Sequence, residues 1–211
     1  MIILSHRGCW LRAEDKNSAK AFETSFARGF GVELDIRDHA GEIVISHDPP
    51  FSSGLLFKEV LLQRSRYSHA GPLAVNVKAD GLQFGVRDLL RDHGGADYFL
   101  FDMAVPDALG YLAQEMTVFT RHSEVEPVPA FYDRAAGVWV DCFHRDWIDE
   151  GVIAGHLRAG KRVALVSPEL HGRSHHEAWQ LWRGVEQRLR PNGALMLCTD
   201  HPEAAEAYFN A

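Results

Sequence analysis

The chain has 211 residues, 46% apolar and 24% charged, which suits one globular domain with a sizeable core and excludes a disordered segment. A net charge of −7, with no basic run and no RNA-binding motif, excludes a general nucleic-acid footprint. Three cysteines without close spacing argue against a disulfide framework and for a reducing, cytoplasmic setting. No signal-peptide pattern opens the chain and no apolar run approaches the ~20 residues of a membrane helix, so no stable membrane anchor is expected.

In chain order, short β-rich runs alternate with longer runs of helical period. Strands are predicted over residues 2–5, 32–36, 73–77, 98–101, 117–120, 138–140, 162–166 and 194–197, with helices over 18–28, 55–64, 82–92, 106–114, 129–134, 146–158, 174–188 and 202–209. Ser18 and Asp146 read as helix N-caps, and Gly29 and Gly160 as helix C-terminal stops. An extra run at 43–46 follows the turn-like Asp38-His39-Ala40-Gly41, predicting a hairpin with the second strand. Strand–helix units in this number predict an α/β fold, a (β/α)₈ TIM barrel formed as a single domain over residues 1–211. An open doubly wound sheet is the alternative, but no G-x-G-x-x-G loop follows the first strand.

Barrel chemistry sits where strands end, and polar residues gather there. His6 and Arg7 follow the first strand, His47 ends the hairpin strand, and Glu33 with Asp35, like Asn76 with Lys78, share a strand face by period-two alternation. Two imidazoles, two cations and two carboxylates suit acid–base chemistry on an anion better than they suit a core. Two carboxylates facing an anion would repel it, so a hard divalent cation with oxygen ligands, Mg²⁺ or Ca²⁺, is expected between them. Cys9, Cys142 and Cys198 read as small hydrophobes, and Trp179 with Trp182, three apart, as helix packing.

The ordered set His6-Arg7-Gly8, Ala21-Phe22, Glu33-Leu34-Asp35, His47-Asp48 and Thr199-Asp200-His201-Pro202 resembles the glycerophosphodiester phosphodiesterase family, related to phosphatidylinositol-specific phospholipases C; Asp15-Lys16-Asn17-Ser18 matches its Pro-Glu-Asn-Thr-like segment weakly. The resemblance implies catalysis by His6 and His47, substrate phosphate bound by Arg7 and Lys78, and a metal held by Glu33, Asp35 and Asn76. Asn76 stands where the family has a metal-ligating glutamate, so Asp102 and Asp141 are candidates for the missing charge. The family's insertion after His-Asp is largely missing, and the polar stretch with Glu169, His171 and Arg173 is a candidate specificity loop. The expected function is metal-dependent hydrolysis of a small-molecule glycerophosphodiester or related sugar or alcohol diester, with a homo-oligomer compatible with an open mouth. The alternatives are a diesterase or lyase of different head-group specificity releasing a cyclic phosphate, and a non-catalytic phosphate-ligand binder.

Overall fold

The computed structural model describes residues 1–93 and 97–210. It divides into two compact units, Ser5–Val118 and Met1–Leu4 with Phe119–Ala211. We call them the N-terminal and C-terminal units; strand β1 (Ile2–His6) contributes residues to both.

The N-terminal unit runs α1 (Ala19–Ala27), β2 (Gly31–His39), β3 (Glu42–Ile45), α2 (Phe57–Arg64), β4 (Leu73–Val77), α3 (Gln83–Asp92), β5 (Tyr98–Phe101) and α4 (Val105–Ala113). Its strands lie in the order β5-β4-β2-β1, with β3 paired antiparallel to the far end of β2. Along β2, Val32, Leu34 and Ile36 join Phe22 and Phe26 of α1, Val75 and Val77 of β4 and Val86 of α3 in one core. Full burial of each such large side chain stabilises by about 1.5–3 kcal/mol. The pleat sends alternate residues to opposite faces, so the same pattern that buries those three turns Glu33 and Asp35 the other way.

The C-terminal unit runs β6 (Phe119–His122), β7 (Gly137–Val140), α5 (Glu150–Arg158), β8 (Arg162–Val166), α6 (His176–Leu189), β9 (Leu195–Thr199) and α7 (Pro202–Phe209), its strands ordered β1-β9-β8-β7-β6. Gly137 is required at the head of β7, because a Cβ there would stand 2.3 Å from Phe119 Cζ and 2.6 Å from the Arg162 carbonyl. Trp179 and Trp182 pack inward from α6, buried as expected. Eight parallel strands taken in sequence order, with a helix in every connection but that from β6 to β7, are the (β/α)₈ TIM-barrel fold predicted from the sequence.

Three expectations are corrected. No helix forms over 129–134: Pro127 and Pro129 remove amide donors and Phe131 takes φ +42, so the segment turns instead. Helix α5 starts later than expected, capped by Asp149, whose Oδ1 accepts from Val152 N at 2.9 Å; Asp146 instead accepts from Arg173. Strand β2 continues through His39, so the hairpin turn is Ala40-Gly41, both at positive φ (50° and 86°), the geometry of a tight hairpin. Ser18 does cap α1, accepting from Ala21 N at 3.2 Å. Among the described residues no helix is long and apolar enough to cross a membrane.

Candidate active site

The site belongs to the N-terminal unit and is set by strand register. Asp35 on β2 lies directly opposite Asn76 on β4. The Arg7 amide donates to the Glu33 carbonyl at 2.9 Å and the Ser46 amide to the Asp35 carbonyl at 3.0 Å, bringing the ends of β1 and β3 level with the carboxylates. The turn after β1 is tight: Arg7 sits at φ +57 and Gly8 at φ +88, where a Cβ would meet Ala21 Cβ at 2.7 Å. Only glycine lets the start of α1 approach so closely.

Glu33 and Asp35 are 2% and 0% exposed. Glu33 is pushed up from 4.5 to about 7, first by burial and then by the neighbouring Asp35 charge, against the pull of His6, Arg7 and Lys78. His6 Nε2 stands 3.9 Å from Glu33 Oε2, and Asn76 Nδ2 donates to Glu33 Oε1 at 3.2 Å. Asp35 Oδ2 accepts from Asn17 Nδ2 at 2.9 Å and has Arg7 Nε at the same distance, while Lys78 Nζ lies 3.8 Å from Oδ1. Lys78 Nζ donates to Asp102 Oδ2 at 3.1 Å.

Charge balance is therefore met differently from the sequence-based expectation. Arg7 and Lys78 already flank Asp35, and burial with the Asp35 charge raises Glu33 to about 7, so that it carries only part of a full charge near neutral pH and the carboxylates are held together without a metal. A hard cation nevertheless fits the donors. Asp35 Oδ1, Asn76 Oδ1 and Asn17 Oδ1 are buried oxygens without a hydrogen-bond partner among the described residues. A buried orphan costs about 1–3 kcal/mol, and oxygens of this kind are the ligands that Mg²⁺ and Ca²⁺ take. Among the described residues no three or more His, Cys, Asp or Glu side chains gather to hold a metal, which reflects the amide at position 76. Of the two aspartates considered for the third charge, Asp102 accepts from Lys78, and Asp141, in the C-terminal unit, accepts from His171 Nε2 at 2.7 Å and Cys142 N at 2.8 Å.

His47 stands apart from this cluster in its contacts. Its ring is 45% exposed and pairs through Nδ1 with Asp48 Oδ1 at 2.9 Å, while Arg37 Nε holds its carbonyl at 2.9 Å. The sequence-expected residues His6, Arg7, Glu33, Asp35, Asn76, Lys78 and Asp102 are thus joined through direct contacts, and His47 is not among them.

The predicted specificity loop lies in the C-terminal unit and is tied down by its own chain. Glu169 accepts from Ser167 Oγ, Thr199 Oγ1 and Asp200 N, His171 holds Asp141, and Arg173 donates to Asp146 and the Cys142 carbonyl. Cys142 and Cys198 are buried and Cys9 half-buried, all as free thiols. Burial pushes the Cys142 thiol up to about 12, so it is inert.

Sequence reasoning left Asn17 out of the site, although its amide holds Asp35; the available signal was an asparagine directly before the N-cap Ser18. It also missed a half-buried chain in the C-terminal unit, Tyr132 OH to His156 Nδ1 at 2.7 Å and His156 Nε2 to His122 Nδ1 at 2.9 Å, for which no local pattern exists.

No protein-family model and no curated relative matches the chain. Solved structures do. A glycerophosphodiester phosphodiesterase from Agrobacterium tumefaciens is 17% identical at a TM-score of 0.66, with 100% of each chain covered. A glycerophosphoryl diester phosphodiesterase from Parabacteroides distasonis is 14% identical at 0.69, covering 99% of this chain and 86% of that one. A Ca²⁺-dependent phosphatidylinositol-specific phospholipase C from Streptomyces antibioticus is 13% identical at 0.59, covering 99% and 95%. At such identities the likeness is one of fold alone, a (β/α)₈ barrel.

Proposed function

We propose that the chain is a phosphoric diester hydrolase acting on a glycerophosphodiester or a related sugar or alcohol diester, working in the cytoplasm on a small-molecule substrate. The observation that supports this best is the buried Glu33–Asp35 pair with its orphaned oxygens, flanked by His6, Arg7 and Lys78. Diester cleavage requires a nucleophile deprotonated, a leaving oxygen protonated and an anionic transition state stabilised. His6 and His47 are the acid–base pair of this reading, each contributing roughly 10²–10⁴ in rate. Arg7, held beside Asp35 through Nε, offers a planar fork to non-bridging phosphate oxygens. Lys78, steered by Asp102, adds a point charge.

Glu33, Asp35 and Asn76 would hold the divalent ion, with Asn17 Oδ1 as a further oxygen. That ion supplies Lewis-acid polarisation of the phosphoryl group. With one amide replacing a carboxylate, binding should be weak. The test is turnover of bis(p-nitrophenyl) phosphate by chelator-treated protein with Mg²⁺, Ca²⁺ and Mn²⁺ supplied in turn. Turnover should appear with Mg²⁺ or Ca²⁺, and Glu33→Gln should raise the concentration required. Equal turnover in excess chelator would remove the metal from the reading.

Asn76 also favours a second reading, a non-catalytic binder of phosphate ligands, since its amide donates to the Glu33 carboxyl rather than adding charge. Ligand-induced stabilisation with no turnover under any metal would establish it. Phosphorus NMR of the products separates a third case, release of a cyclic phosphate.

A further inference from the structure

The geometry points to a second, unassigned anion-binding site in the C-terminal unit, a basic pocket at the N-terminal end of β8 that takes a small organic molecule bearing a phosphate or a carboxylate. The cavity measures about 480 Å³ and is lined where α5 and α6 end and β8 begins. Its walls carry Arg158, Lys161, Arg162 and Arg190 and no aspartate or glutamate, in a chain with seven more acidic than basic residues. Leu157 and Leu189 add apolar surface for the body of a ligand. The volume falls inside the range of roughly 300–1,000 Å³ typical of small-molecule sites.

Two of the four cations have structural work. Lys161 Nζ donates to the carbonyls of Ala135 at 2.6 Å and Asp133 at 3.3 Å, and Arg162 stacks over Phe119 and reaches Met196 Sδ at 3.8 Å. The other two, Arg158 and Arg190, are exposed and meet no acceptor among the described residues.

Cations at helix C-termini also serve a simpler purpose, offsetting the carbonyl end of the helix dipole, which is equivalent to about half a negative charge per helix. Two helix ends amount to about one negative charge against four positive ones, so the pocket keeps a net attraction for anions. Arg190 offers the cleanest test. It ends α6 in the left-handed region at φ +45, where glycine or asparagine is the favoured residue. An arginine there is held against its backbone preference, so replacing it with glycine removes the side chain without straining the turn.

The test is residue-resolved, so that anion binding near His6 is not mistaken for it. The amide shifts of Gly160 and Asn192 in ¹⁵N-labelled full-length protein are followed while sodium phosphate or sodium citrate is added against sodium chloride of equal ionic strength. Saturable shifts with phosphate alone identify a phosphate ligand, with citrate alone a carboxylate ligand, and with both a general anion site; each supports the pocket. Arg190→Gly relieves the left-handed strain, so its Tm should not fall, yet its affinity should drop at least tenfold. Shifts that never saturate, shifts matched by chloride, or wild-type affinity in Arg190→Gly would each overturn the site.

Discussion

Both units bury an aspartate beside their strands, Asp35 at 0% and Asp141 at 6% exposure, but they treat it in opposite ways. Asp141 Oδ1 takes hydrogen bonds from His171 and from the next amide, and among the described residues no buried oxygen of Asp141 is left without a partner. Asp35 keeps Oδ1 without a hydrogen bond among the described residues, beside Glu33, which is pushed up to about 7 first by burial and then by the Asp35 charge. A satisfied buried acid is an element of structure. One left partly unsatisfied, beside like charge and under two cations, carries a cost that folding alone does not explain, and such costs collect at functional sites.

The largest test of this contrast is catalytic. His6→Ala and His47→Ala should each lower kcat on bis(p-nitrophenyl) phosphate by about 10²–10⁴, the contribution of one positioned acid or base. Because His47 is half exposed and its hydrogen bonds among the described residues are to its neighbour Asp48 and, through its backbone, from Arg37, His47→Ala should leave the Tm unchanged. Wild-type turnover in that variant, with contaminating phosphatase excluded, would take His47 out of the reaction. Full turnover in His6→Ala would dissolve the assignment of the whole N-terminal cluster.

The next effect is on stability, and its sign differs between the units. The folded state holds the Glu33 proton more tightly than the unfolded chain does, with a pKa of about 7 against 4.5. The stability tied to that proton is complete below pH 4.5 and is lost as the pH rises to 7, on the order of 3 kcal/mol in all. Glu33→Gln cannot ionise and still offers Oε1 to Asn76, so chelator-treated protein at pH 8 should become more stable by about that amount. At pH 4 the two proteins should differ little. Asp141→Asn should do the reverse, costing about 1–3 kcal/mol at neutral pH by spoiling satisfied hydrogen bonds. Urea unfolding at the two pH values reads both, and a loss of stability in Glu33→Gln at pH 8 would contradict the unsatisfied-acid picture.

How much of this was legible beforehand follows the range of the forces involved. Glu33, Asp35, Asn76 and Lys78 could be placed because β2 and β4 alternate with period two, and His6 and Arg7 because they follow an apolar run; these are local patterns. The barrel followed from the order of such runs. The turn at 129–134 was not legible as a turn, since its helical reading ignored the donors lost at Pro127 and Pro129. The N-cap moved from Asp146 to Asp149 because Arg173, distant in sequence, claims Asp146. Likewise Asn17 reaches Asp35 only once the turn after β1 has closed, and the balance of Arg7 and Lys78 around Asp35 requires three strands in register. Long-range pairing of polar side chains leaves no periodic trace.

Asn17 also permits the smallest and sharpest comparison. Ser18 and Asp149 perform the same task in the two units, each accepting a backbone N–H at the start of a helix, α1 and α5. Either one changed to alanine should cost about 1 kcal/mol by urea unfolding. Their effects on activity should differ. Loosening the first turn of α1 loosens Asn17, whose amide holds Asp35 Oδ2 at 2.9 Å and whose own amide N–H is fixed on the Arg7 carbonyl. Ser18→Ala should therefore raise the divalent-ion concentration needed for half-maximal turnover, by less than tenfold because Arg7 and Lys78 still hold Asp35. Asp149→Ala, equal in stability cost, should leave that concentration where it was. If both variants shift it alike, the cap acts only through global stability, and Asn17 loses its place as the residue linking helix α1 to the carboxylate pair.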